Sequence, residues 1–443
     1  MSPGSRQQPA RRPDAAREVA WELLRDVDEL GSYANLRLPQ LFDEHKLNAR
    51  DRAFATELGY GTLRALGTLD VLIDRHTRGG LDPAVRDALR LGAYQIWRTR
   101  VPDRAAVSTT VDLVRSIEPR ASRLANAVMR RIVDDVAADD LGAPAFDDDP
   151  AGHLAVVTAH PRWIVEAFAD VLGVAENGWD ETRAALLADD ERPEVHLVAR
   201  RMERDELLAD AGEGAEAGPW SETAVRLTYG GDPGEITAVR DGRAAVQDEG
   251  SQLVALALAA VVAPGPGVVD LAAGPGGKGA LLAARGLSVV GLELHLPRAR
   301  LVAGAHVPVA VADSRQPPLR PASADRVLLD APCTGLGALR RRPEARWRRT
   351  PGDLAPLAAL QRELLASALR LVRPGGVVAY VTCSPHRAET VDVVDAVRAD
   401  PASPPTELLD ARAALPAGMP GLGDGPTVQL WPHRHGTDAM FLA

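Results

Sequence analysis

The stretch Arg326–Leu336, RVLLDAPCTGL, passes from an unbroken apolar run (Val327, Leu328, Leu329) to a carboxylate at Asp330 and a thiol at Cys333. A strand buried on both faces of a parallel sheet has this continuous apolar character, and it turns polar where it leaves the sheet. Pro332 cannot continue the ladder, so it stops the strand and holds Cys333 in a stiff turn. The chain has 2 cysteines, and the other, Cys383, follows the apolar run Val377–Val381, entered through the turn Arg373-Pro374-Gly375-Gly376. In an open α/β sheet the carboxyl ends of the strands line the ligand crevice, so the two strands aim both sulfurs at one pocket. Cysteine is also a small buried hydrophobe, and under that reading alone the pair carries no chemistry.

Outward from this stretch, strands and helices alternate regularly from about residue 245. A helix over Gln247–Ala263 is followed by a strand, Val268–Leu271, that runs into Ala272-Ala273-Gly274-Pro275-Gly276-Gly277-Lys278 and a further helix. The next strands end at Glu293, Asp313, Asp330 and Cys383. Repeated strand–helix–strand units with polar residues at the strand ends predict a doubly wound, Rossmann-like parallel sheet. Glycines after the first strand let a ligand approach the backbone and open a helix whose N-terminal N–H groups favour negative charge. Gly274, Gly276 and Gly279 satisfy GxGxxG, and Glu293 lies where an acid that binds ribose hydroxyls belongs; this pattern fits NAD and S-adenosylmethionine equally. A P-loop is excluded, because Lys278 is followed by Gly279 and not by Ser or Thr.

The thiols separate the two cofactors. Hydride transfer has no use for a pair of strand-end cysteines. Methylation of pyrimidine carbon 5 does need a nucleophile, since that carbon becomes reactive only after a group adds at carbon 6. A thiolate can add there and later leave, and a carboxyl group such as Asp330 beside N3 can stabilise the adduct. His386, His433 and His435 lack the Cys or acid spacing of a metal set, and no metal is assigned.

The chain of 443 residues is too long for one ordinary core, and 46% hydrophobic with 25% charged residues is globular composition. The longest apolar run, Leu253–Ala263, is shorter than the ~20 residues of a membrane span, so the expectation is a cytoplasmic protein with reduced thiols and no membrane partner. A net charge of -10 argues against nucleic acid on its face, but arginines crowd just after the Cys333 turn. The division expected is a disordered tail over 1–12, an all-α domain over 13–138, an acidic linker over 139–152, a small α/β subdomain over 153–245 and the sheet domain over 246–443.

Two resemblances accompany these patterns. Asp51–Arg64, with Leu91-Gly92-Ala93-Tyr94-Gln95 and Asn126–Arg131, resembles the NusB-like RNA-binding domain. By that resemblance Arg52, Arg64, Arg130 and Arg131 are candidate phosphate contacts. From about 245 to 443, Asp270–Lys278, Asp330–Gly335, Arg340-Arg341-Arg342-Pro343-Glu344 with Trp347, Gln361–Leu365, Thr382-Cys383-Ser384 and Glu389 together resemble the Sun-type, or RsmB-type, ribosomal RNA cytosine-C5 methyltransferases. The resemblance implies a class I methyltransferase fold, S-adenosyl-L-methionine as cofactor, and 16S ribosomal RNA as partner of what is expected to be a monomer. It implies Cys383 as nucleophile, Cys333 as the thiol that aids product release and Asp330 beside them. It also implies cofactor contacts from Ala272, Ala273, Gly274, Pro275, Gly276, Gly277, Lys278, Glu293, Asp313 and Asp330, and RNA contacts from Arg340, Arg341 and Arg342. The family usually has Cys-Ala-Ala-Pro-Gly-Gly-Lys where this chain has Ala272–Lys278, and often Glu-Asn in place of Glu389-Thr390. A transfer RNA cytosine-C5 methyltransferase and a non-catalytic RNA-binding assembly factor are the alternatives.

Overall fold

The computed structural model describes residues 14–228 and 232–443, except for the side chains of Glu176 and Asn177. The expected tail over 1–12 lies outside the described residues. The chain divides into two compact units. The first takes residues up to Ala169, Val174–Asp190 and Arg342–Arg348, and the second takes Asp170–Gly173, Glu191–Arg341 and Arg349–Ala443.

The first unit is helical. Its main helices span Ala15–Glu29, Ala34–Glu44, Ala49–Asp74, Pro83–Arg98, Asp103–Ile117 and Ser122–Ala137. Side chains supply the missing partners at the helix starts: Asp14, Asn48 and Asp82 accept from the backbone N–H groups of Arg17, Asp51 and Ala84. Leucines and valines at helical spacing, among them Leu23, Leu58, Leu72, Leu89 and Val114, are withdrawn from water into one core.

Three more helices, Pro150–Val157, Arg162–Val171 and Asp180–Asp190, fall almost wholly in this unit, which corrects the expected subdomain over 153–245. Thr68 Oγ1 donates to Val156 O at 2.5 Å, and Arg98 pairs with Asp190 at 3.2 Å. Helical periodicity reports that a face is buried but not against which core, so the boundary lies later in the chain than the pattern suggests.

The second unit holds two sheets. The smaller is antiparallel, in the order β2-β3-β1-β4, from β1 (Val195–Ala199), β2 (Ala215–Ala217), β3 (Ala224–Leu227) and β4 (Ala244–Val246). The larger comprises β5 (Gly267–Asp270), β6 (Ser288–Glu293), β7 (Val309–Val311), β8 (Ala324–Asp330), β9 (Val372–Thr382), β10 (Val428–Gln429) and β11 (Phe441–Leu442). Its order is β10-β11-β9-β8-β5-β6-β7; β5 to β9 run parallel and β10 and β11 antiparallel. The expected doubly wound parallel sheet therefore carries an antiparallel edge pair of two residues per strand, too short for a period to register in sequence.

Register brings the polar strand ends together. Asp270 of β5 sits beside Leu328 of β8, and Asp330 of β8 beside Val381 of β9, so the chain leaves the sheet from adjacent strands within a few residues of one level. Among the described residues no helix is long and apolar enough to cross a membrane.

Candidate active site

The two sulfurs meet. Cys383 follows β9 directly, Cys333 lies three residues beyond β8, and their Sγ atoms are 3.4 Å apart, both partly accessible and free of a disulfide. Backbone bonds hold the two turns against each other: Ala331 N–H donates to Val381 O and Gly337 N–H to Cys383 O, each at 2.8 Å.

The pair stands in an uneven field. Lys278, in the first turn of the helix Gly277–Ala284, places Nζ 2.7 Å from Asp330 Oδ2. Burial alone would depress the Lys278 ammonium, but Asp330 raises it above the ordinary lysine value, so it stays charged. The hydrogen bond from Cys333 lowers the Cys383 thiol below the ordinary range; burial and Asp330 oppose this, and Lys278 assists it. The same shared bond, together with burial, pushes the Cys333 thiol well up. Both directions favour a thiolate at Cys383 over one at Cys333.

Asp270 ends β5 beneath the glycine loop. Burial, then the charge of Asp330, pushes its carboxyl up to about 7, and its Oδ1 is buried without a hydrogen-bond partner. The loop is fastened on its other side by Glu293, whose Oε2 accepts from Gly274 N–H at 3.1 Å and whose Oε1 accepts from His295 N–H at 3.0 Å. Arg298 donates to Gly274 O at 2.7 Å and pairs with Glu293 at 3.3 Å. At Gly276 the backbone is left-handed (φ 104°), a conformation side chains resist.

A methyl group at Gly274 would lie 2.4 Å from Glu293 Oε2 and 2.7 Å from Arg298 Nε, so the departure from the family's alanine makes room for these two side chains. Gly274→Ala is expected to displace Glu293 and weaken cofactor binding about tenfold, roughly 1.4 kcal/mol. Isothermal titration with S-adenosylmethionine measures it, and unchanged affinity removes Glu293 from the binding set.

Asp313 has both carboxylate oxygens on Arg315, whose hydrogen bonds hold it below the ordinary range. Ala272 and Ala273 continue from β5 into the loop, and Ala273 N–H donates to Leu292 O at 3.0 Å.

The structure redistributes the arginines. Arg340 and Arg341 do not present free guanidinium groups: both bond Asp438 Oδ1, at 3.0 and 2.9 Å, and both bond Asp248 Oδ1, at 3.3 and 2.7 Å. As RNA contacts they are corrected to internal ion pairs, because buried guanidinium groups need the carboxylates that neutralise them. Arg342 is exposed, as are Arg130 and Arg131 on the helix Ser122–Ala137. Arg52 lies over the Phe42 ring and donates to Leu47 O, whereas Arg64 is only partly exposed and gives its carbonyl to Arg346. The partners Asp248 and Asp438 escaped sequence reasoning, since nothing marks an acid some 90 residues away as a mate.

His386 accepts from Ala388 N–H, and His435 bonds Trp431 and Pro420; among the described residues no group of three or more metal-ligand side chains gathers. A separate cavity of about 910 Å³, lined in part by Leu258, Leu369, Val377 and Leu442, contains neither cysteine.

A parallel sheet with a glycine loop after its central strand, acids at successive strand ends and an antiparallel edge pair defines an S-adenosylmethionine-dependent methyltransferase fold. Residues 258–443 match the family described as 16S rRNA methyltransferase RsmB/F, and residues 14–134 match the NusB family. A putative methyltransferase of Mycobacterium tuberculosis, MT1451, is 52% identical over 100% of this chain and 99% of its own. The probable ribosomal RNA small subunit methyltransferase B of Bacillus subtilis is 33% identical over 97% and 98%. The crystal structure of PH0851 superposes with a TM-score of 0.76 at 25% identity over 99% of each chain. NSun6 from Pyrococcus horikoshii with SFG gives 0.51 at 17% identity over 65% and 98%, a likeness of fold alone. The chain belongs to the 16S rRNA methyltransferase RsmB/F family, with a NusB domain ahead of the methyltransferase domain and S-adenosylmethionine as its cofactor.

Proposed function

We propose that the protein methylates carbon 5 of a cytosine in 16S ribosomal RNA through a covalent bond from Cys383 to carbon 6. The observation that carries this reading is the 3.4 Å sulfur pair beside the Lys278–Asp330 ion pair. Cys383, held toward its thiolate by Cys333 and Lys278, adds to carbon 6 and makes carbon 5 electron-rich. S-adenosylmethionine, when bound, supplies the electrophilic methyl group. Asp330, aligned by Lys278, faces the pyrimidine N3, and a proton passed from its carboxyl group to N3 as the sulfur adds neutralises the ring and returns to Asp330 when the sulfur leaves.

Loss of the carbon 5 proton to solvent then restores the ring double bond and expels Cys383 as thiolate. Cys333 donates its S–H to the departing sulfur and so assists release. The base has to be unstacked into the pocket for this chemistry, as enzymes that modify a base require. Arg130, Arg131, Arg342 and Arg52 are proposed phosphate contacts, with relatives named for the ribosomal small subunit favouring ribosomal over transfer RNA.

The loop fits the cofactor in its own chemistry: small residues from Ala272 to Gly277 leave the backbone approachable, Glu293 is fixed at the end of β6, and the Asp270 carboxyl keeps an unfilled Oδ1. The test is bisulfite sequencing of total RNA from cells with and without the gene. One cytosine of 16S RNA is expected to lose its protection in the deletion; loss confined to a transfer RNA, or no loss, overturns the assignment.

A further inference from the structure

The mechanism leaves the buried carboxylate of Glu389, beside the Cys333 turn, unused. Glu389 is fully buried, and its Oε1 accepts from Thr334 N–H at 2.8 Å and from Gln361 Nε2 at 3.1 Å. Its Oε2 accepts from the Thr334 hydroxyl, and its own carbonyl is held by Tyr380 OH at 2.8 Å. Gln361 Nε2 also donates to Pro332 O at 2.8 Å. The bonds to Thr334, and the one from Gln361 to Pro332, hold the residues on either side of Cys333, while Tyr380 ties Glu389 to β9, the strand that leads to Cys383. Its printed donors, Thr334 and Gln361, are neutral, and the titratable His386 also feels it, so a charge placed here acts on what stands nearby.

We propose that Glu389 is a positioning residue that makes the two sulfurs inequivalent: it clamps the Pro332–Thr334 turn and sets a negative charge behind Cys333, so that Cys333 keeps its proton and Cys383 becomes the thiolate. The inference deepens the covalent mechanism above and rests on it for its catalytic meaning. The two sulfurs alone form a nearly symmetric pair. After the hydrogen bond the sulfurs share, Lys278 bears on Cys383 and favours its ionisation, whereas Glu389 bears on Cys333 and opposes it. The other groups facing the pair are Asp330 and Asp438, both acting on Cys383 against ionisation, and the Tyr380 phenol near Cys333. Lys278 and the shared hydrogen bond have to outweigh the first two, and a charged Glu389 tips the balance by penalising the alternative thiolate.

Initial rates of iodoacetamide labelling, mapped by peptide mass spectrometry on the full-length protein without RNA or cofactor, test it. In the unsubstituted chain Cys383 is expected to label first and with a lower pH midpoint than Cys333. Glu389→Gln, nearly isosteric but neutral, is expected to shift the Cys383:Cys333 labelling ratio toward Cys333 by about tenfold, the effect of one nearby charge in a partly screened site. Gln361→Ala removes a hydrogen bond and leaves the charge, so it should alter the ratio less than about twofold.

A labelling ratio unchanged in a folded Glu389→Gln protein overturns the proposal. So does a Cys333 midpoint at or below that of Cys383 in the unsubstituted chain, a measurement that stands even where the variant does not fold. Labelling needs no RNA, so a shifted ratio alongside unmethylated cytosine sinks the assigned reaction and leaves the role of Glu389 intact.

Discussion

Cys383→Ala is expected to abolish methyl transfer, lowering kcat/KM by at least about a thousandfold, and to remove any RNA–protein species that survives denaturing electrophoresis. The size follows from the chemistry, since without a sulfur to add at carbon 6, carbon 5 has no reason to attack an electrophile. Cys333→Ala separates the two thiols. It leaves Cys383 beside Lys278, so the adduct still forms, but it removes the S–H that meets the departing sulfur at 3.4 Å, so the adduct accumulates. The pH dependence has a fixed sign. A thiol lowered by its hydrogen-bond donor is charged above its own pKa, so kcat/KM rises with pH and levels off below the ordinary cysteine range. Methyl incorporation and adduct bands measured side by side decide the order of the roles. Turnover retained by Cys383→Ala, with an adduct that disappears in Cys333→Ala, exchanges the two assignments.

The parts of this site that sequence revealed share a physical cause. Central parallel strands must be apolar on both faces, so Val327–Leu329 and Val377–Val381 announced themselves, and the first polar residue after each had to lie at the crevice. Glu293 and the glycine loop were legible for the same reason. What stayed hidden were pairings. Arg340 and Arg341 read as a basic surface because composition counts charges and not partners; Asp248 and Asp438 neutralise them from distant stretches of chain. Glu389 and Gln361 were visible as motif letters, but their bonds to the Cys333 turn required the fold. The helices Arg162–Val171 and Asp180–Asp190 pack in the first unit, because amphipathic periodicity is silent about the partner face, and Pro150–Val157 begins inside the expected linker. The edge strands owe their existence to pairing rather than to local preference, β11 with β9 and β10 with β11.

Arg346 illustrates the same concealment with the largest consequence for stability. It sits in the segment Arg342–Arg348, which belongs to the first unit, and its side chain is wholly buried. Nη1 donates to Arg64 O at 3.0 Å and Ala159 O at 2.9 Å and approaches Asp190 Oδ1 at 3.3 Å, while Nη2 donates to Asp189 O at 3.1 Å. Burial lowers its pKa, with Asp190 and Asp189 opposing that shift, so a planar fork rather than a point charge satisfies four acceptors at once. Beside it Trp347 Nε1 donates to Leu63 O at 2.7 Å, and Arg348 to Val27 O at 2.7 Å.

Arg346→Met keeps most of the volume but strands three carbonyls and a carboxylate without their donor, and is expected to destabilise the first unit by about 3–5 kcal/mol. For a unit of this size that lowers its thermal transition by roughly 10 °C. Arg346→Lys should recover little, because an ammonium on a flexible stem cannot span acceptors on three separate stretches of chain. By contrast Arg342→Met, at an exposed neighbour, should stay within about 0.5 kcal/mol of the unsubstituted protein while weakening RNA binding if Arg342 meets phosphate. Differential scanning calorimetry of the full-length protein reads the outcome. An Arg346→Met variant that unfolds at the unsubstituted temperature would mean that its four bonds merely replace solvent at no net gain, and that the segment is held by Trp347 and Arg348 instead.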